Sequence, residues 1–413
     1  MSRVLVGLHH LELGGSQLNA LDLATAIRDR GHDVEIFAAH TGTIGPVADM
    51  ARDRGFPLTV TMHPLVRPGR WPYRRGVAEA LAGQAGRMRA DILHVYEYPL
   101  ILDAFYGPSR SLGTPLVGTV YGMSIPTWLP RSATLIAGTA KLVAGAQKVG
   151  QRAVLIEPPV DTKWDDPAVV DGAEFRRLYG IERDEVVLGI VSRLEPEMKE
   201  EGVVRAMLAI AELGDSTAQR LRLVVTGTGP SYDLLAKRAA SVNAKLGREA
   251  VIMTGALGDP RPAYAAADIA LGMGGSALRS MAFAKPLIVL GIEGFSRPFE
   301  KATADYFFEQ GFYGIGSGAP EPIATQIEQL ISEDRRLEIG AWSRQVVLDR
   351  YSLITATDTL EEVFEDAEAR SQSWLPAALH TTVQRSASAL VGSAVRDRVR
   401  PLVHRTLARQ ALR

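Results

Sequence analysis

The 413-residue chain contains no cysteine. Disulfide scaffolds, thiolate metal sites and cysteine nucleophiles are therefore excluded together, and the absence fits a reducing cytosol. Long apolar runs are missing as well. The opening MSRVLVGLHH is too short an apolar stretch for a signal peptide, and no segment approaches the ~18–20 apolar residues of a membrane span. A cytoplasmic protein is expected. Charge of one sign is also lacking: 46 Lys and Arg stand against 47 Asp and Glu, so no global field draws nucleic acid. The eight histidines are scattered, which with no cysteine gives no expected metal site. No Gly-x-Ser-x-Gly hydrolase elbow appears.

What is present is a globular composition, 46% hydrophobic and 23% charged, in a chain long enough for two or three domains. Short apolar runs alternate with glycine turns and amphipathic stretches. RVLVGL leads through Gly14-Gly15 into SQLNALDLATAIRDRG, and strand-like runs follow at 33–39, 58–62, 91–96, 115–122 and 134–139. The pattern breaks at EPPVDTKWDDP (157–167) and restarts with runs at 186–193, 221–230, 250–255, 267–272 and 285–291. Unbroken apolar strands between helices predict parallel sheets covered on both faces. The expected architecture is α/β: two Rossmann-like doubly wound domains, 1–165 and 166–350, with ligands beyond the carboxyl ends of the strands in the inter-domain cleft. A helix over 351–370 is expected to return toward the first domain.

The last stretch, 371–413, holds seven arginines against one aspartate. Such a basic, helix-compatible tail reads as a solvated extension, as a helix packed on the protein's own acidic surface, or as a segment lying on an anionic membrane at its inner face.

Several residues are candidates for chemistry. Gly14-Gly15 follows the first strand, but the spaced glycines of a dinucleotide fold are absent and the second strand ends in Ala38-Ala39-His40, with no acid to hold a ribose. The turn reads instead as a close-approach loop whose helix start lies near Ser16. Arg193 ends a strand and Lys199 begins a helix in SRLEPEMKEEG. Together they suit a diphosphate, and the plain alternative is a surface pair of Arg193 with Glu195 or Glu197. The turns Gly227-Thr-Gly229 and Gly274-Gly275-Ser276 follow strands of the same predicted sheet. His9, His94 and Glu97 end strands on the expected ligand side.

In this order the motifs resemble those of family 4 glycosyltransferases. LELGGSQLNALDLATAIRDRGHDVEIF resembles the family's opening, GIVSRLEPEMKEEG its Arg…Lys donor-phosphate motif, and VVTGTGP, AYAAADIAL, AKPLIV and VLDRYSL follow in sequence. The resemblance covers roughly 3–368. It implies a GT-B fold, a nucleotide-diphosphate sugar of UDP or GDP type as co-substrate rather than a bound cofactor, and no metal. It also implies transfer with retention to an acceptor the sequence does not name. Arg193 and Lys199 inherit the leaving-group role. Gly14, Gly15, Gly227, Gly229, Gly274, Gly275 and Ser276 inherit donor contacts, and His9, His94, Glu97 and Tyr121 are candidate acceptor or sugar contacts.

The chain departs from the family where two glutamates are usual. Aligning Met281-Ala282 puts Arg279 at the second position and Leu271 at the first. Three readings follow: Arg279 contacts donor phosphate or a carboxylated sugar; the chain is a degenerate, non-catalytic homologue that binds a ligand or partner; or Arg279 reaches an acid such as Glu293 or Glu300.

Overall fold

The computed structural model describes residues 1–63, 73–122, 124–214, 220–316, 318–319, 321–370 and 374–385. Among them the chain divides into two compact units, one of residues 1–156 with the described residues from Thr357 on, the other of Glu157–Ala356.

In the first unit seven strands form a parallel sheet: β1 Arg3–Leu8, β2 Asp33–His40, β3 Leu58–Met62, β4 Ile92–Tyr96, β5 Leu116–Val120, β6 Thr134–Ala137 and β7 Ala153–Leu155, in the order β3-β2-β1-β4-β5-β6-β7. β4, β5 and β6 are buried along their whole length, as expected of strands with helices over both faces. The sheet grows outward in one direction from β1 through β2 to β3, then reverses at β4. The point between β1 and β4 is the switch point, where doubly wound sheets open a crevice at their carboxyl ends.

The second unit has β8 Val186–Val191, β9 Leu221–Thr226, β10 Val251–Gly255, β11 Ile269–Gly272, β12 Leu287–Leu290 and β13 Ser296–Phe299, in the order β10-β9-β8-β11-β12-β13. β13 alone runs antiparallel, against β12. Here the switch lies between β8 and β11. Both expected doubly wound sheets are thus present, with β7 and β13 added.

The boundary differs from the expected one. Residues 157–166 belong to the second unit because long-range polar contacts tie them there. Arg350 donates from Nε to Glu157 at 2.6 Å, Val160 N–H bonds Tyr351 O at 2.8 Å, and Arg344 pairs with Asp166 at 2.9 Å. The helix Leu353–Glu368 enters the first unit from Thr357. Asp358 and Glu361 pair with Arg30 at 2.7 and 2.6 Å, and the Phe364 ring lies 5.5 Å from that of His94. No helix among the described residues is long and apolar enough to cross a membrane. The basic, helix-compatible stretch from residue 387 onward lies outside the described residues.

Candidate functional site

At the switch point of the first sheet, the loop after β1 meets the loop after β4. Gly14 caps the helix Gly15–Asp29, and a side chain at Gly15 would meet nothing within 4 Å. Ser16 Oγ donates to Glu97 Oε1 at 3.4 Å, and Tyr121 N–H, just beyond β5, donates to the same oxygen at 3.2 Å. Glu97 itself sits at φ 68°, ψ 148°, a region that side chains rarely enter. Its backbone explains why. Glu97 N–H continues the sheet by bonding Thr119 O at 2.8 Å, while its carbonyl accepts from Leu100 and Ile101 at the start of the helix Tyr98–Ala104. Glu97 is the single residue between strand and helix, and its carboxylate is turned toward Ser16 and Tyr121. Burial pushes its pKa up, partly opposed by the Tyr121 and Ser16 hydrogen bonds.

His9, at the end of β1, is half-buried beside Gln17 Nε2 at 3.5 Å, and burial together with His10 and Arg74 lowers its pKa to about 3. The ring is therefore neutral. His40, standing where a dinucleotide fold has its acid, accepts from Leu11 N–H at 3.1 Å through Nδ1 and reaches Thr43 O at 2.6 Å through Nε2. It braces the loop after β1. Ser16, Gln17 and His40 were not among the expected site residues, and only their position around Gly14-Gly15 could have suggested them.

His94 is placed differently from the expectation. It lies inside the core at 1% exposure, with Nε2 2.8 Å from Thr119 Oγ1 and its ring against Tyr96 and Phe364. Complete desolvation lowers its pKa to about 3. It is a packing residue, because a parallel sheet covered on both faces encloses the ring on either side.

In the second unit the loops after β8, β9 and β10 interlock. Ser192 N–H bonds Thr226 O at 2.9 Å, Leu194 N–H bonds Thr228 O at 3.0 Å, and Gly227 N–H bonds Gly255 O at 2.8 Å. Gly227, at φ 133°, leaves no room for a side chain: a Cβ would stand 1.9 Å from Ser192 O, and one at Gly229 2.5 Å from Leu194 O. These two glycines let the β9 loop pack on the β8 loop and so aim the residues beyond it.

Those residues are Arg193 and Lys199. Arg193 Nε pairs with Glu195 at 2.6 Å, the plain alternative foreseen from the sequence. Lys199 caps the helix Glu200–Leu213 and has no carboxylate partner among the described residues. Desolvation alone lowers its pKa to about 8. The neighbouring acids are turned away to other partners. Glu200 accepts from Ser231 Oγ at 2.5 Å, and Glu201 accepts from the N–H groups of Glu293 and Gly294 at 2.9 and 2.6 Å.

Across the same switch point, the loop after β11 enters the helix Gly275–Ala282 through Gly274 at φ 59°, ψ −136°. Side chains at Gly274 and Gly275 would meet nothing within 4 Å, whereas Ser276 Oγ is used on Met273 O at 3.1 Å. The first backbone N–H groups of a helix are natural anion donors. Leu271 is inside the core at 1% exposure. Arg279 does reach an acid, but neither Glu293 nor Glu300: its Nε lies 3.4 Å from Asp165 Oδ2. Glu300 is taken by Arg335 at 3.1 Å.

Residues 13–163 match the family model described as Glycosyltransferase Family 4, and residues 185–333 the one described as Glycosyl transferases group 1. Two curated relatives carry the name D-inositol 3-phosphate glycosyltransferase. The protein of Actinosynnema mirum is 27% identical over 53% of this chain and 59% of its own length, that of Stackebrandtia nassauensis 27% over 53% and 56%. The chain thus spans less than two thirds of the curated relatives it matches. Among solved structures, Anabaena HepE in complex with UDP aligns with a TM-score of 0.65 at 16% identity, over 88% of this chain and 100% of that one. A glycosyltransferase from Rickettsia africae aligns with a TM-score of 0.68 at 13% identity, over 90% and 100%. The fold is of the GT-B class, built of two Rossmann-like units.

Proposed function

We propose that this chain, which its domain matches and its fold support as a glycosyltransferase of the family 4 type, transfers a sugar from a nucleoside diphosphate donor of UDP or GDP type to an acceptor, with retention of configuration. The observation that carries this reading is Lys199. A recessed ammonium with no carboxylate partner among the described residues is costly to keep, and an anionic ligand at the switch point between β8 and β11 removes that cost. UDP bound to Anabaena HepE, a structural neighbour, is consistent with such a ligand.

In this reading the donor diphosphate lies against Lys199 and Arg193, and the N–H groups of Gly275 and Ser276 complete its cradle. As the glycosidic bond breaks, negative charge accumulates on the departing diphosphate. Fixed cations and helix dipoles stabilise it there. Glu195 yields part of the Arg193 guanidinium when the diphosphate arrives. Gly14 and Gly15 allow close approach of the reactants to the first unit, and Glu97, bonded by Tyr121 N–H, receives the acceptor together with His9 on the loop after β1. A carboxylate with a raised pKa accepts a hydrogen bond from an acceptor hydroxyl.

Calorimetric titration with UDP, GDP and uridine tests the proposal. UDP or GDP binds, and Lys199→Ala weakens that binding by roughly one to two decades, the loss of one charge-assisted contact, while uridine is affected far less. Failure of both nucleotides to bind overturns the donor assignment. Unchanged affinity in Lys199→Ala removes the lysine from the site.

A further inference from the structure

Residues 374–385 form a helix in the first unit that is apolar on two opposite faces. Its inner face belongs to the core. Ala377 and Ala378 are buried there, Thr381 is fully enclosed, and the Trp374 ring stacks on Phe105 at 6.0 Å. Its outer face carries Leu375, Leu379 and Val383, which are 75%, 68% and 56% exposed. The spacing i, i+4, i+8 places all three in one row. Isolated exposed leucines need no explanation, but an aligned row beside a docked helix marks a surface that is covered in use.

The charge around the row selects what covers it. No acid occurs between Glu368 and Asp397. Arg385 lies over the Trp128 ring at 5.3 Å, Arg110 over the Trp374 ring at 4.7 Å, and Arg131 is near enough for its charge to act on His380. Residues 386–413 add six arginines against one aspartate. A second copy of the chain on a twofold axis would set arginine against arginine, and the chain's own basic terminus would do the same. An anionic surface that also accepts hydrocarbon satisfies both observations.

We propose that the outer face of helix 374–385 docks on an anionic lipid bilayer. Leu375, Leu379 and Val383 enter the boundary between headgroups and acyl chains, and Arg110, Arg131 and Arg385 meet lipid phosphates. Trp128, with Tyr98 edge-on to it at 5.7 Å, extends the surface with the amphipathic aromatics that favour this depth. The helix lies in the membrane plane and does not cross it.

The test uses the full chain with sedimented vesicles of phosphatidylcholine alone or with about one third phosphatidylglycerol, a composition that gives a negative surface potential. The intact protein binds the mixed vesicles and not the neutral ones. The variant carrying Leu375→Ser, Leu379→Ser and Val383→Ser loses at least about tenfold in partitioning while keeping the parent melting temperature, since all three side chains are exposed. A single Leu379→Trp substitution reports entry directly, by a blue shift of its fluorescence on mixed vesicles alone. The proposal is overturned if the intact protein ignores mixed vesicles, or if the triple variant binds them as well as the parent does. It is equally overturned if light scattering shows a dimer that the triple variant dissociates.

Discussion

Arg279 Nε and Asp165 Oδ2 lie 3.4 Å apart, joining the helix Gly275–Ala282 to the segment that follows the first sheet. The arginine side chain is 28% exposed and the aspartate 6%. Arg279 stands in the last turn of that short helix, where a cation suits the helix dipole, and Asp165 supplies its counter-charge from far along the sequence. Trp164, next to it, lies under the Arg261 guanidinium at 3.8 Å. The substituted arginine is therefore part of the second unit's construction.

Reversing the charge at position 279 should break this unit more than neutralising it. Arg279→Glu sets two carboxylates together, and Arg279→Gln only leaves Asp165 short of a partner. We expect a loss of about 1–3 kcal/mol for the glutamine variant and more for the glutamate. Chemical denaturation measures both. The double variant Arg279→Glu, Asp165→Arg recovers part of the loss, and strict additivity would show that the two residues do not interact.

Lys199 gives a pH dependence to nucleotide binding. Its pKa of about 8 is lowered by desolvation, and only the protonated form attracts a diphosphate. UDP affinity should therefore be level between about pH 7 and 8, where the terminal phosphate is fully ionised, and fall above it, by up to about tenfold per pH unit. Near pH 8 binding takes up a proton, which calorimetry in two buffers of different ionisation enthalpy detects. Lys199→Met binds UDP more weakly and shows no such fall.

The glycines separate into two kinds. Gly227→Ala forces a methyl to within 1.9 Å of Ser192 O at a positive φ, and should lower stability by several kcal/mol or prevent folding. Gly275→Ala places its methyl in open space at the start of a helix, and the melting temperature should be unchanged or slightly raised. Nucleotide affinity nevertheless falls in Gly275→Ala, because the methyl stands where the anion approaches. Equal affinity in a stable Gly275→Ala would remove that helix start from the donor site.

His94 predicts acid sensitivity of the first unit. Its folded pKa of about 3 is below the ordinary unfolded value of about 6.5, so the unfolded chain binds the extra proton. The stability it supports is complete above pH 6.5 and is lost as pH falls toward 3, about 2 kcal/mol by pH 5. Urea unfolding at pH 7.5 and pH 5 measures this difference. His94→Gln is less stable at both values but shows the smaller difference between them.

The two sheets were legible because their strands are nearly continuous apolar runs closed by glycine turns. β7 is three residues long, and β13 contains Pro298 on an edge, so neither offers a pattern. The unit boundary was legible as a break in composition. Its allegiance was not, since the bonds of Glu157, Asp165 and Asp166 reach arginines 350, 279 and 344. For the site, residue type and order indicated Lys199, Gly274 and Glu97. Nothing local tells that His94 is roofed by Phe364 or that Glu97 adopts a positive φ. Those facts come from segments meeting across the fold.

Phe364, Ala377 and Ala378 complete the core of a unit whose sheet ends at Leu155. On the ribosome that sheet emerges first, yet its last hydrophobic wall is made only after the whole second unit has been translated. The unit begun earliest is finished latest. For some two hundred residues of synthesis, His94 and Phe105 wait without the side chains that cover them. A product that stops at residue 356 therefore carries an open first core together with a second unit already complete, and premature termination there harms the half that lies upstream.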